Sequence, residues 1–440
     1  MKHAKIPDRD NRPQSWFHST SLFLKTKQRA LADRDGLGTG QQLLAFALAT
    51  IALFSRRPSL LTHAQFYAED GTFWFAQAYN LGWLHSLLLP EAGYFNTMPR
   101  LAAGVALLVP LQRAPLVMAI VGLLIQALPV PLLLSSRLRN WAPLPTRLLL
   151  AVIYVAMPNT REILIVATNT QWHLALAALL LAIASSPRTW LGRAFDIAVI
   201  LAAAFSGPFC ILLAPIALLF WWLRRQPWTL LISALVSLVA CIQIGLLLHN
   251  TLRVHTALGV RLEPLVRMVG GNIVAGALFG TYAFASKAPM ILLAAAALVG
   301  IGIYLYCLRF ANLEWKLFLI YCAALLAASL SSPLVGGSKP LWDLLVDAFS
   351  ARYWFFPMLA FAWSAVWCAL YGRNRLFRIA GTGIVLCMAF GVVHDWKYRA
   401  LPDDHFVAFV QRMRDAKPGD HLVFPIMPEG WQMELIKKGS

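Results

Sequence analysis

The chain has 440 residues, of which 59% are apolar and 13% charged. Soluble domains carry about 25% charged residues, so this composition argues against a soluble enzyme, a disordered chain or a disulfide scaffold. It argues for a polytopic membrane protein, whose spans need about 20 mostly apolar residues each. The net charge of +18 fits an excess of Lys and Arg in cytoplasmic loops better than nucleic-acid binding.

Residues 1–40 carry eight Lys/Arg and four Asp, without an apolar stretch and cleavage site of the secretory kind. They read as a basic cytosolic tail that holds the N-terminus inside. From residue 41 to 393, apolar runs alternate with short polar links. The clear runs are roughly 41–57, 115–134, 147–160, 172–186, 194–207, 209–223, 228–249, 288–308, 315–332, 353–371 and 377–393. The expected fold class is therefore all-α, a transmembrane helix bundle of about 11 spans. Two Gly-bearing segments, 99–112 and 266–285, are either spans or re-entrant; counting both gives 13. Either number places the termini on opposite sides, with residues 394–440 forming a small extracytoplasmic tail.

The links 135–147, 187–193, 224–227, 309–316 and 372–378 together hold twelve Lys/Arg and one acid, Glu314. The positive-inside rule makes these the cytoplasmic links. Eight of the ten histidines fall in or beside the opposite links, His173 and His255 among them. The six cysteines lie inside apolar runs and read as packing residues. Walker, dinucleotide, HExxH and GxSxG motifs are missing from the sequence.

The link 58–98 is too long for a turn and too aromatic for a disordered segment. Phe66, Tyr67, Phe73, Trp74, Phe75, Tyr79, Trp83, Tyr94 and Phe95 suit interfacial helices. Lys and Arg do not occur between Pro58 and Pro99. At its centre stand two adjacent acids, Glu69 and Asp70. Two readings of this pair are open. It is either a helix-start cap, or a carboxylate whose proton affinity is raised among apolar rings, able to deprotonate a hydroxyl.

An early extracytoplasmic acid pair in a polytopic chain resembles the GT-C superfamily, integral membrane glycosyltransferases that use lipid-linked sugars. Gly93-Tyr94-Phe95, Pro99-Arg100, Arg352-Tyr353 and Gly430-Trp431 add to the resemblance. The large soluble C-terminal domain of some relatives has no counterpart here. The resemblance implies a polyprenyl-phosphate sugar donor, a glycan or glycolipid acceptor, and inversion at C1 in the plasma (inner) membrane. An acid of the pair would be the base, Asp70 first and Glu69 second.

The leaving phosphate needs cations or donors, for which Arg100, Arg161, His173 and Arg352 are the candidates. Arg100 and Arg352 read equally as interfacial anchors. Asn169, Gln171, Trp172 and Tyr94 are the candidate sugar contacts, amides and rings that also suit a membrane-interface belt. A divalent metal between Asp343, Asp347 and Asp70 is an open option, since hard cations prefer oxygen. The alternative functions are a lipid or sugar transporter or flippase, marked by mid-membrane charges and inverted repeats, and an envelope polysaccharide polymerase or ligase.

Overall fold

The computed structural model describes residues 35–249, 256–280, 287–335, 338–346 and 351–439. The chain is mostly helical, 71%. In order, the helices are α1 (Thr39–Arg56), α2 (Ala76–Leu81), α3 (Trp83–Leu87), α4 (Thr97–Ala106), α5 (Leu111–Leu134), α6 (Leu144–Ala156), α7 (Thr170–Ile183) and α8 (Trp190–Ala204). Then come α9 (Phe209–Arg224), α10 (Pro227–His249), α11 (Leu262–Phe279), α12 (Met290–Phe310), α13 (Leu313–Ser331), α14 (Leu341–Val346), α15 (Ala351–Tyr371), α16 (Arg375–Asp395) and α17 (Phe406–Asp415). Among the described residues, seven are long and apolar enough to cross a membrane: α5, α10, α11, α12, α13, α15 and α16. Three more, α6, α7 and α9, are apolar but shorter. A multi-pass helical membrane protein follows from these lengths.

Each apolar run of the sequence is a helix. Their ends are set by recognisable chemistry. The regular turns of α5 break at Leu128, before Pro129, which has no N–H to donate to a carbonyl of the preceding turn. Thr189 and Asn312 cap α8 and α13, accepting from Gly192 N–H and Trp315 N–H at 3.1 Å each. Arginines close several C-terminal ends. Arg224 donates to the carbonyls of Ile183 and Ala184 at 2.6 Å each, and buried Arg147 donates to Leu133 O at 2.9 Å and Ala142 O at 2.8 Å.

The innermost helices are α7 and α15. Every residue of α7 is buried, and α15 buries all its residues from Tyr353 to Cys368. The more apolar α10, α12 and α16 lie further out, as a lipid-facing surface allows. Helices α7 and α15 meet at one end through Trp172, which lies 6.0 Å from the Tyr353 ring, and through His173, 5.3 Å from Phe355. That end carries the polar residues of interest.

One expectation is corrected. The chain is not all-α, because its tail ends in an antiparallel hairpin, β1 (His421–Ile426) and β2 (Trp431–Ile436), with His421 opposite Ile436. Phe424, Ile426, Met433 and Leu435 point to one buried face, the period of two expected of strands. An isolated two-stranded hairpin is marginal in water. Here it gains a core from α17 and from the 58–98 segment, through Phe66, Trp74, Phe75, Phe406, Phe409 and Val410. Polar contacts fix the docking: Ala68 N–H donates to Met427 O at 2.6 Å, and Thr72 Oγ1 to Gln432 O at 2.7 Å. Asn80 bridges to the second strand, with Ile436 N–H donating to its Oδ1 at 2.9 Å. The tail and the long link therefore form one folded layer on the same face. Residues 1–34 of the basic tail, His255 and Asp347 lie outside the described residues.

Candidate active site

The acid pair sits at a sharp bend. Ala68 takes a left-handed φ of 45°, and a π-helical turn follows over Asp70–Phe75. The bend sends the two carboxylates different ways. Asp70 turns inward to the loop before α7. Its Oδ1 accepts from Thr168 N–H at 2.7 Å and Thr168 Oγ1 at 2.8 Å, and its Oδ2 from Ala167 N–H at 3.1 Å. Trp74 Nε1 reinforces this junction, donating to Thr168 Oγ1 at 2.6 Å. Burial pushes the Asp70 carboxyl up to about 7, against these donors, which favour the anion. Both oxygens are thus committed to holding one loop against another.

Glu69 turns the other way. It is only partly buried and makes no hydrogen bond or ion pair to another side chain among the described residues. Burial raises its proton affinity; Arg352 opposes that rise and Glu162 adds to it. Those two residues are themselves paired. The Arg352 guanidinium bonds Glu162 Oε1, Arg352 N–H donates to Glu162 Oε2 at 2.9 Å, and Nη2 donates to Leu334 O at 2.9 Å. The guanidinium also lies 5.0 Å from the Tyr353 ring centre. The Tyr67 hydroxyl is raised by burial and then by Glu162, so it belongs to the same cluster.

The segment 169–172 adjoins this cluster. Asn169 Nδ2 donates to Glu162 O at 2.9 Å. Asn169 Oδ1, Gln171 Oε1 and Trp172 Nε1 are buried with no partner. A buried polar atom without a partner costs about 1–3 kcal/mol, and here three such atoms fall on neighbouring residues. Gln171 Oε1 lies against Gly207, where an added Cβ would come within 2.6 Å of it. Gly207 itself has a φ of 140°, open to glycine.

Arg100 lies fully buried on α4, donating from Nη1 to Gln77 Oε1 at 2.7 Å and stacked 4.8 Å over Trp74. Its Nε and Nη2 have no partner. Burial pulls it down to about 10, opposed by Glu91. The Glu91 carboxyl is raised by burial, lowered by Arg100 and raised again by Glu69. Glu91 therefore lies in the electrostatic reach of both Arg100 and Glu69. Arg161 is exposed at the rim and forms no ion pair among the described residues. Tyr94 is buried in a tight turn with Glu91. The residues after it dock on the 205–206 turn, Thr97 N–H donating to Phe205 O at 3.0 Å and Met98 N–H to Ser206 Oγ at 2.8 Å.

Several of the candidates have other partners. His173 is not a free phosphate donor: Nδ1 contacts Tyr154 Oη at 2.9 Å and Nε2 contacts Ile163 O at 3.2 Å, so both ring nitrogens serve packing. Arg352 is already matched by Glu162. For a metal, Asp343 is engaged by Arg261 at 2.5 Å and Asp70 is saturated; no group of three or more His, Cys, Asp or Glu that could hold a metal occurs among the described residues. Glu91, Glu162 and Tyr67 entered the site unforeseen as contributors. Glu91 had one sequence signal, its place in the arginine-free, aromatic 58–98 segment. No protein-family model matches the chain, and no curated protein matches it.

Proposed function

We propose that the chain is an inverting glycosyltransferase of the GT-C kind, moving a sugar from a polyprenyl phosphate to an envelope glycan or glycolipid. We place it in the plasma (inner) membrane with about 11 spans, the N-terminus inside and the site outside. The observation that carries the reading is Glu69: a carboxylate of raised proton affinity in one cluster with Arg352 and Glu162, which the segment 169–172 with its three unmatched polar atoms adjoins through Glu162.

Glu69, rather than Asp70, takes the proton from the acceptor hydroxyl. The freed oxygen bonds to C1 of the sugar from the face opposite the phosphate. The C1–O bond to phosphate breaks, and its electron pair leaves on the polyprenyl phosphate. Arg100, through its two unmatched nitrogens, and Arg161 at the rim meet that charge. Asn169 and Gln171 supply acceptors for sugar hydroxyls, and Trp172 supplies a ring edge and an N–H. Arg352 tunes Glu69 while tied to Glu162. Asp70 is a positioning residue that holds the loop bearing the base.

The test is transfer by the purified protein from a panel of polyprenyl-phosphate sugars. Glu69→Gln is expected to lose transfer by about 10²- to 10⁴-fold, the usual worth of a general base. Undiminished transfer by Glu69→Gln, or no transfer from any donor by wild type, would overturn the proposal.

A further inference from the structure

The opposite end of α15 carries a second feature. The link after Tyr371 and the first turns of α16 bring Arg373, Arg375 and Arg378 to one groove of about 670 Å³. None of the three forms an ion pair with a carboxylate among the described residues. Arg373 lies 5.3 Å from the Phe310 ring centre, and Arg309 lies 5.2 Å from the same ring. Three exposed guanidinium groups therefore line one groove, with Arg309 against the same ring as Arg373. An anion in the groove would be attracted by all three.

The groove does not stay polar. It continues along α16 past Ile379, Thr382, Gly383 and Leu386, with Ala369 of α15 as its other wall. Arg375, Ile379, Thr382 and Leu386 follow helical steps of four, three and four, so they share one face. Ile379 and Leu386 are 60% and 69% exposed, on a helix apolar enough to cross a membrane. Nothing lies within 4 Å of a Cβ placed on Gly383, so the groove floor is open there. The feature is charged at its mouth and apolar along its length, the two-part character of a phospholipid. The positive-inside rule puts the mouth on the cytoplasmic face. α15 has 21 residues, so at 1.5 Å each the groove lies about 30 Å from Arg352.

We propose that this groove binds one anionic phospholipid, its headgroup phosphate on Arg373, Arg375 and Arg378 and an acyl chain along Ile379, Gly383 and Leu386. A lipid held there would bridge the junction of α15 with α16, two helices that pack along their length. The site is separate from the proposed transferase site and does not depend on that reading.

Native mass spectrometry of the full-length protein in detergent tests it, with dioleoylphosphatidylglycerol, dioleoylphosphatidylcholine and inorganic phosphate as probes. Wild type is expected to retain phosphatidylglycerol over phosphatidylcholine, and millimolar phosphate is expected not to displace it. Each arginine changed to Gln is expected to weaken retention about fivefold, the worth of roughly 1 kcal/mol per basic residue at an anionic surface. Gly383→Leu leaves all three charges and fills the open floor, and is expected to weaken retention too; it keeps the test decisive if the arginine variants fail to fold. Equal retention of the two lipids, or unchanged retention in Gly383→Leu and the arginine variants, overturns the proposal. Displacement by phosphate overturns the lipid as the occupant.

Discussion

Asp70 and Thr168 stand 98 positions apart, yet the Asp70 carboxylate accepts both the backbone N–H of Thr168 at 2.7 Å and its hydroxyl at 2.8 Å. This one contact joins the first long link to the loop that starts α7. Its neighbour Glu69 is thereby left facing Arg352 and Glu162. The two adjacent acids differ: Asp70 is tied to the loop by three hydrogen bonds, and Glu69 bonds no other side chain among the described residues.

Asp70→Asn is expected to lower stability rather than chemistry. Asparagine offers one acceptor oxygen where three donors converge, and its NH₂ opposes an N–H. A buried donor left unmatched costs roughly 1–3 kcal/mol. Thermal melting in detergent should show the loss. Transfer measured well below the new melting temperature should fall less than in Glu69→Gln. A stable Asp70→Asn with activity as low as Glu69→Gln would reverse the two roles.

The same carboxyl makes the junction sensitive to pH. Its folded value is raised from 3.8 to about 7 by burial, so the folded state binds the proton more tightly than the unfolded chain does. The stabilisation is present in full below about pH 4 and is lost as the pH rises through about 7. The melting temperature in detergent, followed against pH, should fall across that window. Asp70→Asn should flatten the dependence.

Gly71 is a matter of close approach. A Cβ there would lie 2.8 Å from the Ile426 side chain and 2.9 Å from Phe66. Gly71→Ala should therefore push the hairpin off the first link, at an overpacking cost of about 1–3 kcal/mol. Limited proteolysis should cut residues 395–405 faster in the variant, because the covering layer opens there.

The helices were legible because apolar runs of membrane length leave few other structures, and each expected run is a helix. The tail was harder. His421–Ile426 contains Pro425 and alternates weakly, and its hydrophobic face makes sense only against Phe66 and Phe75, some 350 positions away in the chain. The site divides along the same line. The acid pair and Asn169, Gln171 and Trp172 were visible as local polar breaks in apolar sequence. The roles of Asp70 and His173 were not, because they depend on Thr168, Tyr154 and Ile163, which are brought close only by folding. The pairing of Glu162 with Arg352 was not visible either, because the two lie 190 positions apart.

That partnership yields the sharpest kinetic test. A base acts only when deprotonated, so the acid limb of kcat/KM follows the Glu69 carboxyl in the free enzyme. Arg352 lowers that carboxyl's proton affinity and Glu162 raises it. Arg352→Gln should therefore move the acid limb to higher pH. Glu162→Gln removes the like charge and releases the Arg352 cation from its partner, so it should move the limb to lower pH. Breaking a buried pair also destabilises, by up to about 3–5 kcal/mol when the remaining charge is unmatched, so each profile belongs at a temperature where the variant is folded. Shifts of the same sign in both variants, or none in either, would mean that Glu69 is not the group being titrated.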